Sequence, residues 1–198
     1  MKPLILALVA ALILAGCSPD PEPTEEYHDQ AESNLIVQTT QTKVIGVHTE
    51  VWQQAATIEE AHAAAESALN LVVGADGPHY GDADGDGSIG GETVAGLLPG
   101  LDGEPGVAQI EPINECVERD VLGGSWDDPA ARWAEADAAL AAWSPSDNTM
   151  PTLASHPQRI YGWASLTLAT DDLDEAHEYA GHALIHVNVT LDAFENCS

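Results

Sequence analysis

Two segments of this chain share one residue pattern, displaced by 115 positions. Residues 58–72 and residues 173–187 each begin with an aliphatic residue, two acids, an alanine and a histidine. Each then continues with Ala, Ala-Leu and Val at matching places. In the first segment the apolar positions are 58, 61, 65, 68/69 and 72, which is the period of an α-helix with one buried face. The repeat therefore predicts two related amphipathic helices.

A second apolar segment precedes each of these helices, at residues 44–47 and 159–163. Thr57 and Thr170 are each placed to cap the helix that follows, with acidic residues in its first turn. Two such antiparallel hairpins pack into a four-helix bundle with pseudo-twofold symmetry. The sequence thus predicts an all-α fold, a helical bundle of two related helical hairpins with a Gly/Asp-rich loop insertion.

The segments between the two hairpins are less regular. Residues 74–106 are rich in glycine and turn signals and form the predicted loop insertion. A short helix is expected within 107–122, and Asp127-Asp128-Pro129 predicts the start of a helix over 130–143. Residues 144–157 contain three prolines and predict a loop. The predicted bundle, with its loop, occupies residues 34–198.

The N-terminus carries an export signal. Met1-Lys2 precede an almost wholly apolar run over 3–15, which is too short to span a membrane. The run ends in Leu14-Ala15-Gly16-Cys17, which resembles the bacterial lipobox. That resemblance implies that residues 1–17 are a lipoprotein signal peptide, that Cys17 is acylated, and that the protein is extracytoplasmic and anchored to a membrane by lipid. Ser18 after the cysteine favours the outer membrane in a Gram-negative cell. The alternatives are an ordinary cleaved signal or an N-terminal anchor helix.

Residues 18–33 are rich in proline and acid and predict an extended, disordered tether between lipid and bundle. The whole chain has 33 Asp and Glu against 5 Lys and Arg, a formal net charge of −28. This charge excludes a nucleic-acid-binding surface, because phosphate binding needs clustered basic residues. It also disfavours docking on anionic lipid headgroups. The partner is expected to be a protein or small molecule, which the sequence does not identify.

Two cysteines remain once Cys17 is assigned to the lipid. Cys116 and Cys197 are expected to form a disulfide, because an exported chain folds in an oxidising compartment. The alternative is a pair of buried free thiols.

The clearest chemical motif is the acidic stretch that runs from Asp82 to Ile89. Asp82, Asp84 and Asp86 alternate and are followed by Gly87, a pattern that resembles the first half of an EF-hand or dockerin calcium loop. In that family the three carboxylates are ligands 1, 3 and 5, the glycine permits the turn, and a carbonyl, here that of Ser88, is ligand 7. The resemblance therefore implies one bound Ca²⁺.

The end of this loop departs from the pattern. Position 12 should be a bidentate glutamate, but it is Thr93, and the carboxylate Glu92 comes one residue early. Either the loop is compressed, or Glu92 reaches the ion with altered geometry, and the site is expected to be structural and of weak affinity, about 10⁻⁴–10⁻³ M. The alternative is a solvated acidic turn without an ion.

Histidines supply a second hypothesis, a transition-metal site for Zn, Cu or Fe. His62 and His177 occupy equivalent places in the two hairpins, each three residues after a carboxylate, which is half of a di-iron ligand set. His182 and His186 are spaced i, i+4 and point to the same helix face. The alternative is that these histidines are ordinary surface and core residues.

The sequence contains no nucleophile elbow, phosphate loop or dinucleotide fingerprint. We therefore expect a non-enzymatic, lipid-anchored helical bundle with one structural Ca²⁺ and a binding or surface-interaction role. The second reading is a transition-metal-binding bundle that uses the paired histidines.

Overall fold

The computed structural model describes residues 25–145, 150 and 153–197. The helices are α1 (Glu25–Gln53), α2 (Ile58–Val73), α3 (Pro129–Ala141), α4 (His156–Leu168) and α5 (Leu173–Glu195). A 3₁₀ turn (Val107–Gln109) and a π-helical turn (Val117–Leu122) lie between α2 and α3. Within the described residues no strand forms, and one isolated bridge pairs Gly74 with Ala95.

The long helices confirm the predicted all-α bundle. Helix α1 packs against α2 and α5, and α4 packs against the same two helices, so the four form a closed ring of neighbours. Each pair joined by a short connection, α1–α2 and α4–α5, is one of the two predicted hairpins. Helix α3 lies outside the ring against α4. It begins at Pro129 and ends two residues before the predicted Trp143. The helix expected within 107–122 is broken into the two short turns.

The bundle core uses small side chains at the repeated positions. Most of the apolar positions predicted from the repeat are almost fully buried, whereas Ile58, Leu173 and Leu184 are only partly buried. The buried ones common to both helices are Ala61, Ala65, Ala68 and Val72 in α2, and Ala176, Ala180, Ala183 and Val187 in α5. Alanine at these places lets the helices approach closely, and Trp52, Tyr161 and Trp163 fill the wider gaps. The shared pattern therefore marks the helix faces that meet in the core.

One of the two predicted helix caps is correct. Thr57 caps α2, because its side chain accepts a hydrogen bond from the Glu60 amide. The prediction for Thr170 is wrong, since Asp172 caps α5 and accepts from the amides of Asp174 and Glu175. Thr170 lies two residues too early to reach those amides. Its hydroxyl instead donates to the Glu175 carboxylate.

The N-terminal boundary also needs correction. Helix α1 begins at Glu25, so residues 25–33, which were expected to belong to the extended tether, are helical. The predicted signal peptide, the lipobox and Cys17 lie outside the described residues. In the described part of the chain, no helix combines the length and the apolar character needed to cross a membrane.

The expected disulfide is confirmed. Cys116 and Cys197 are bonded, with 5.8 Å between their Cα atoms and a sequence separation of 81. The bond joins the start of the π-helical turn to the residue just beyond α5. Asn114 strengthens the same junction by donating its side-chain amide to the Ala193 carbonyl.

Candidate metal centre

The acidic loop is held against α2 by a buried asparagine. Asn70, fully buried in α2, donates its side-chain amide to the carbonyls of Gly81 and Gly90, at 2.9 and 2.8 Å. Its side-chain oxygen accepts from the Gly81 amide at 3.0 Å. One side chain thus satisfies both ends of the segment 81–90 and draws them together. The residues between them form a closed loop whose base is the surface of α2.

A buried glutamate one helical turn earlier organises the interior of this loop. Glu66 is only 2% exposed. One of its carboxylate oxygens, Oε2, accepts from the amides of Ala83 and Asp84 at 2.6 and 3.0 Å, and Oε1 accepts from Gly90 at 2.7 Å. Burial of a carboxylate is costly unless it is paired or well hydrogen-bonded, so these three backbone donors offset a large desolvation penalty.

The aspartates of the loop turn its backbone inward. Asp82 accepts from the Gly87 amide at 3.0 Å, Asp84 from Asp86 at 3.0 Å, and Asp86 from Ser88 at 2.7 Å. Gly85 and Gly87 have φ of +77° and +90°, a backbone region that side chains with Cβ rarely adopt. The pattern Asp-x-Asp-x-Asp-Gly therefore produces a tight coil in which each aspartate carboxylate accepts from a backbone amide of the loop itself.

Three carboxylates converge at this coil. One oxygen from each of Glu66, Asp82 and Asp84 lies within 4.8 Å of the others. The predicted ligands Asp82 and Asp84 are therefore brought together, with Asp82 exposed and Asp84 half-buried, whereas Asp86 and Glu92 lie outside this set. Ser88 contributes a backbone amide to Asp86. The third carboxylate of the set comes from Glu66, a residue that the loop motif does not contain.

Glycine is required where the loop returns along α2. Gly91 has φ of +64°, and a Cβ there would overlap the backbone of Ser67. A Cβ on Gly90 would overlap the Ser67 hydroxyl. This close approach allows Gly90 to donate its amide to Glu66 and to accept from the Asn70 side chain, so α2 fixes the position of the loop.

Two of the predicted metal-binding histidines serve the fold symmetrically. His62 donates from Nε2 to the carbonyl of Thr170 at 2.9 Å, and His177 donates from Nε2 to the carbonyl of Ala55 at 2.9 Å. Both donor and acceptor differ by 115 positions, so each bond is the repeat equivalent of the other. Each histidine bonds the connection of the opposite hairpin, and the two side chains do not share a site.

The other two predicted metal-binding histidines, His182 and His186, contact aromatic rings rather than each other. His182 stacks on Trp163, with ring centres 4.6 Å apart. His186 meets His156 of α4, with 2.9 Å between their Nδ1 atoms. Burial lowers the pKa of His186 to about 3, and the neighbouring His156, Arg159 and His182 act in the same direction. Among the described residues, no histidine belongs to a group of three converging ligands.

A further polar cluster, which the sequence patterns did not predict, lies beside the acidic loop. Tyr161, buried in α4, donates its hydroxyl to Asp137 of α3, and His79 Nε2 lies 3.3 Å from the same carboxylate oxygen. Burial raises the pKa of Tyr161 far above its usual value, and Asp137 adds to the shift. The hydroxyl therefore stays protonated as a donor. The cluster lines an open cavity of about 470 Å³ that Ala83 also borders.

The chain matches no family model, and no curated protein or solved structure is significantly similar to it.

Proposed function

We propose that this protein is an extracytoplasmic, lipid-anchored helical bundle that holds one structural Ca²⁺ in the loop 81–91 and serves in binding or surface interaction. The observation that carries the calcium assignment is the buried carboxylate of Glu66, one oxygen of which lies within 4.8 Å of a carboxylate oxygen of Asp82 and one of Asp84. Hard oxygen ligands of this kind suit Ca²⁺ rather than Zn²⁺ or Cu²⁺.

The ligand set is Glu66 together with the loop aspartates. Ca²⁺ takes six to eight oxygens, so the carboxylates need help from the Ser88 carbonyl, from Asp86 and from water. Glu66 replaces the glutamate missing at position 12 and supplies it from a helix instead of from the loop. The ion neutralises like charges that otherwise repel at short range.

The role of the ion is to order the loop. Residues 81–91 are mainly glycine and aspartate, which lose much conformational entropy on ordering and bury little apolar surface. Binding at a dissociation constant of about 10⁻⁴–10⁻³ M would add about 1.4–2.7 kcal/mol of stability at about 10 mM Ca²⁺. The ordered loop forms one wall of the cavity at Tyr161, so calcium also shapes the surface offered to a partner.

Calorimetric titration of the full chain with CaCl₂, combined with elemental analysis, tests this function. The chain is expressed with its own leader and extracted in mild detergent. We expect one Ca²⁺ per chain in the wild type, and loss of binding in Glu66→Gln and Asp84→Ala.

Two further variants give the experiment its controls. Asp102→Asn removes an exposed carboxylate from the same long segment and should bind Ca²⁺ like the wild type. Glu92→Gln should also bind normally if Glu66 closes the site. Stoichiometric Zn, Cu or Fe instead of Ca²⁺ would overturn the proposal in favour of a histidine site. The absence of any ion would reduce the loop to a solvated turn.

The location outside the cytoplasm is supported by the lipobox at Cys17 and by the disulfide between Cys116 and Cys197. Disulfides persist in oxidising compartments and are rare in the cytosol. The acidic surface also fits a salty or calcium-bearing medium, because mobile ions screen its self-repulsion.

A further inference from the structure

Helix α1 has two apolar faces, and the bundle covers only one of them. The buried face includes Ile45 and Trp52. On the opposite side Val37, Val44, Val47 and Val51 are exposed by 45%, 39%, 57% and 53%. Single exposed apolar residues are normal on a protein surface, but a continuous row on one helix marks an interaction site.

The exposed row has the spacing of a coiled-coil seam. Val37, Val44 and Val51 follow one another at intervals of seven, and Thr40 and Val47 lie three residues after the first two. Positions a and d of a heptad form one stripe along a helix, and the buried residues Ile45 and Trp52 occupy position b on the other side. The row covers 15 residues of α1, which is about 21 Å from the first Cα to the last.

We propose that two copies of this chain associate through the exposed row, with α1 of one copy packed antiparallel against α1 of the other. In this arrangement Val44 lies opposite Val47 of the second copy, and Val51 lies opposite its Thr40. Self-complementary contacts of this kind close under twofold symmetry and give a dimer rather than a filament.

The charges beside the row select a second copy of the chain as the partner. The positions that flank the seam between residues 36 and 55 hold one base, Lys43, and one acid, Glu50. This strip is therefore neutral, although the whole chain carries −28. Two strongly acidic molecules repel over most of their surfaces, and along this strip of α1 each copy offers one base and one acid that can pair with those of the other copy.

The same two residues select the antiparallel direction. Lys43 and Glu50 are both at position g, and antiparallel helices place g beside g, so each Lys43 faces Glu50 of the other copy. Parallel helices would place Lys43 near His48 instead. Parallel pairs also favour leucine at d, where this chain has Thr40 and Val47. Within one molecule Lys43 contacts Glu195 at 2.7 Å, but this pair is exposed and stabilises little.

The mass of the detergent-extracted full chain, measured by sedimentation velocity across a concentration series, tests the proposal. We expect a dimer for the wild type and a dissociation constant raised roughly 100-fold or more in Val47→Glu, which buries a charge at the seam. Ile185→Glu is the matched control, because Ile185 lies on α5 and is exposed by the same 57%. It should leave the dimer intact. Circular dichroism of each variant confirms that it is folded.

A wild type that stays monomeric up to about 100 µM would overturn the proposal, given that specific dimers commonly form below this concentration. A dimeric Val47→Glu variant, or loss of the dimer in Ile185→Glu, would also overturn it. The charge pair gives an independent check. Lys43→Glu should weaken the dimer, and the combination of Lys43→Glu with Glu50→Lys should restore it.

Cysteine cross-linking tests the direction of the helices. Val37→Cys in one copy and Gln54→Cys in the other should form a disulfide across an antiparallel pair. Two Val37→Cys copies should not, because antiparallel packing separates these residues along the helix by about 25 Å. A cross-link between two Val37→Cys copies would refute the antiparallel arrangement.

Discussion

The histidine pair between α4 and α5 makes the stability of the bundle depend on pH. His156 and His186 share a hydrogen bond between their Nδ1 atoms, so one ring must donate and the other must accept. A second proton on these atoms would set two donors face to face. Arg159 of α4 and His182 of α5 also oppose protonation of His186, whereas Asp120, on the π-helical turn, acts in favour of charge on His156.

The direction of the pH effect follows from the pKa of His186. Its folded value of about 3 lies below the value of about 6.5 expected in the unfolded chain. The unfolded state therefore binds more protons, and the contribution of this group to stability, complete above pH 6.5, is lost as the pH falls from 6.5 toward 3. Integrated from pH 7 to pH 5, the loss is about 2 kcal/mol. Because the ring is partly exposed, we reduce this to about 1 kcal/mol.

Urea unfolding at pH 7, 6 and 5 measures this loss, with the double variant His156→Gln/His186→Gln as the reference. Both histidines are replaced because interacting groups titrate as a pair. The acidic residues titrate in both proteins, so their effect cancels in the difference. We expect the wild type to lose about 1 kcal/mol relative to the variant between pH 7 and pH 5. Identical pH dependence in the two proteins, or a relative gain by the wild type, would refute the reasoning.

Three further predictions concern the covalent and backbone features of the chain. Replacement of both Cys116 and Cys197 by serine should lower the free energy of unfolding by up to about 4.5 kcal/mol, measured by urea unfolding, since the closed loop spans 81 residues; a loss below about 1 kcal/mol would contradict the chain-entropy argument. Gly91→Ala should cost more stability and more Ca²⁺ affinity than Gly85→Ala, because both have positive φ but only Gly91 lies against α2; equal effects would count against close packing of the loop. Mass spectrometry of the membrane-extracted protein should find a diacylglyceryl group on Cys17, and an unmodified Cys17 in a processed chain would rule out the lipid anchor.

The core of the bundle could be predicted because its signal is local. A buried helix face repeats every three to four residues, and the pattern around Ala61 and Ala65 shows it within one segment. The matching pattern around Ala176 and Ala180 shows the same helical period a second time, in a separate segment. The first residue of a helix is harder to predict, because several polar residues near the start of a helix can each serve as its cap. Asp172 prevails over Thr170 because it immediately precedes the first helical residue, Leu173.

The carboxylate cluster at the acidic loop could be predicted only in part, because one of its three members comes from another element. The aspartates are adjacent in sequence, whereas Glu66 lies 16 residues before Asp82 on a helix. The repeat contained one clue, since the residue equivalent to Glu66 is Gly181. Glu66 is a single carboxylate at the edge of the alanine-rich buried face of α2, and Asn70 follows it one turn later. Two polar side chains at such places indicate that this face contacts a polar segment of the chain. Which segment supplies that contact depends on tertiary packing.

The histidines show the opposite problem. The positions of His62 and His177 in the repeat are equivalent, and equivalence predicts a common role without saying which role. In the structure both side chains donate to backbone carbonyls. His156 precedes Pro157 at the start of α4, and its approach to His186 depends on how α4 and α5 cross. Side-chain spacing along one helix does not contain that information.

Because of the reciprocal bonds of His62 and His177, each hairpin depends on the other for a hydrogen bond to its connecting segment. Each hairpin closes the connection of the other, and the C-terminal part of α5 ends beside the first half of α1, where Phe194 and Leu35 border one cavity. We therefore expect a circularly permuted protein that starts with α4 and α5 and continues through a linker into α1 to keep the contacts between the four helices.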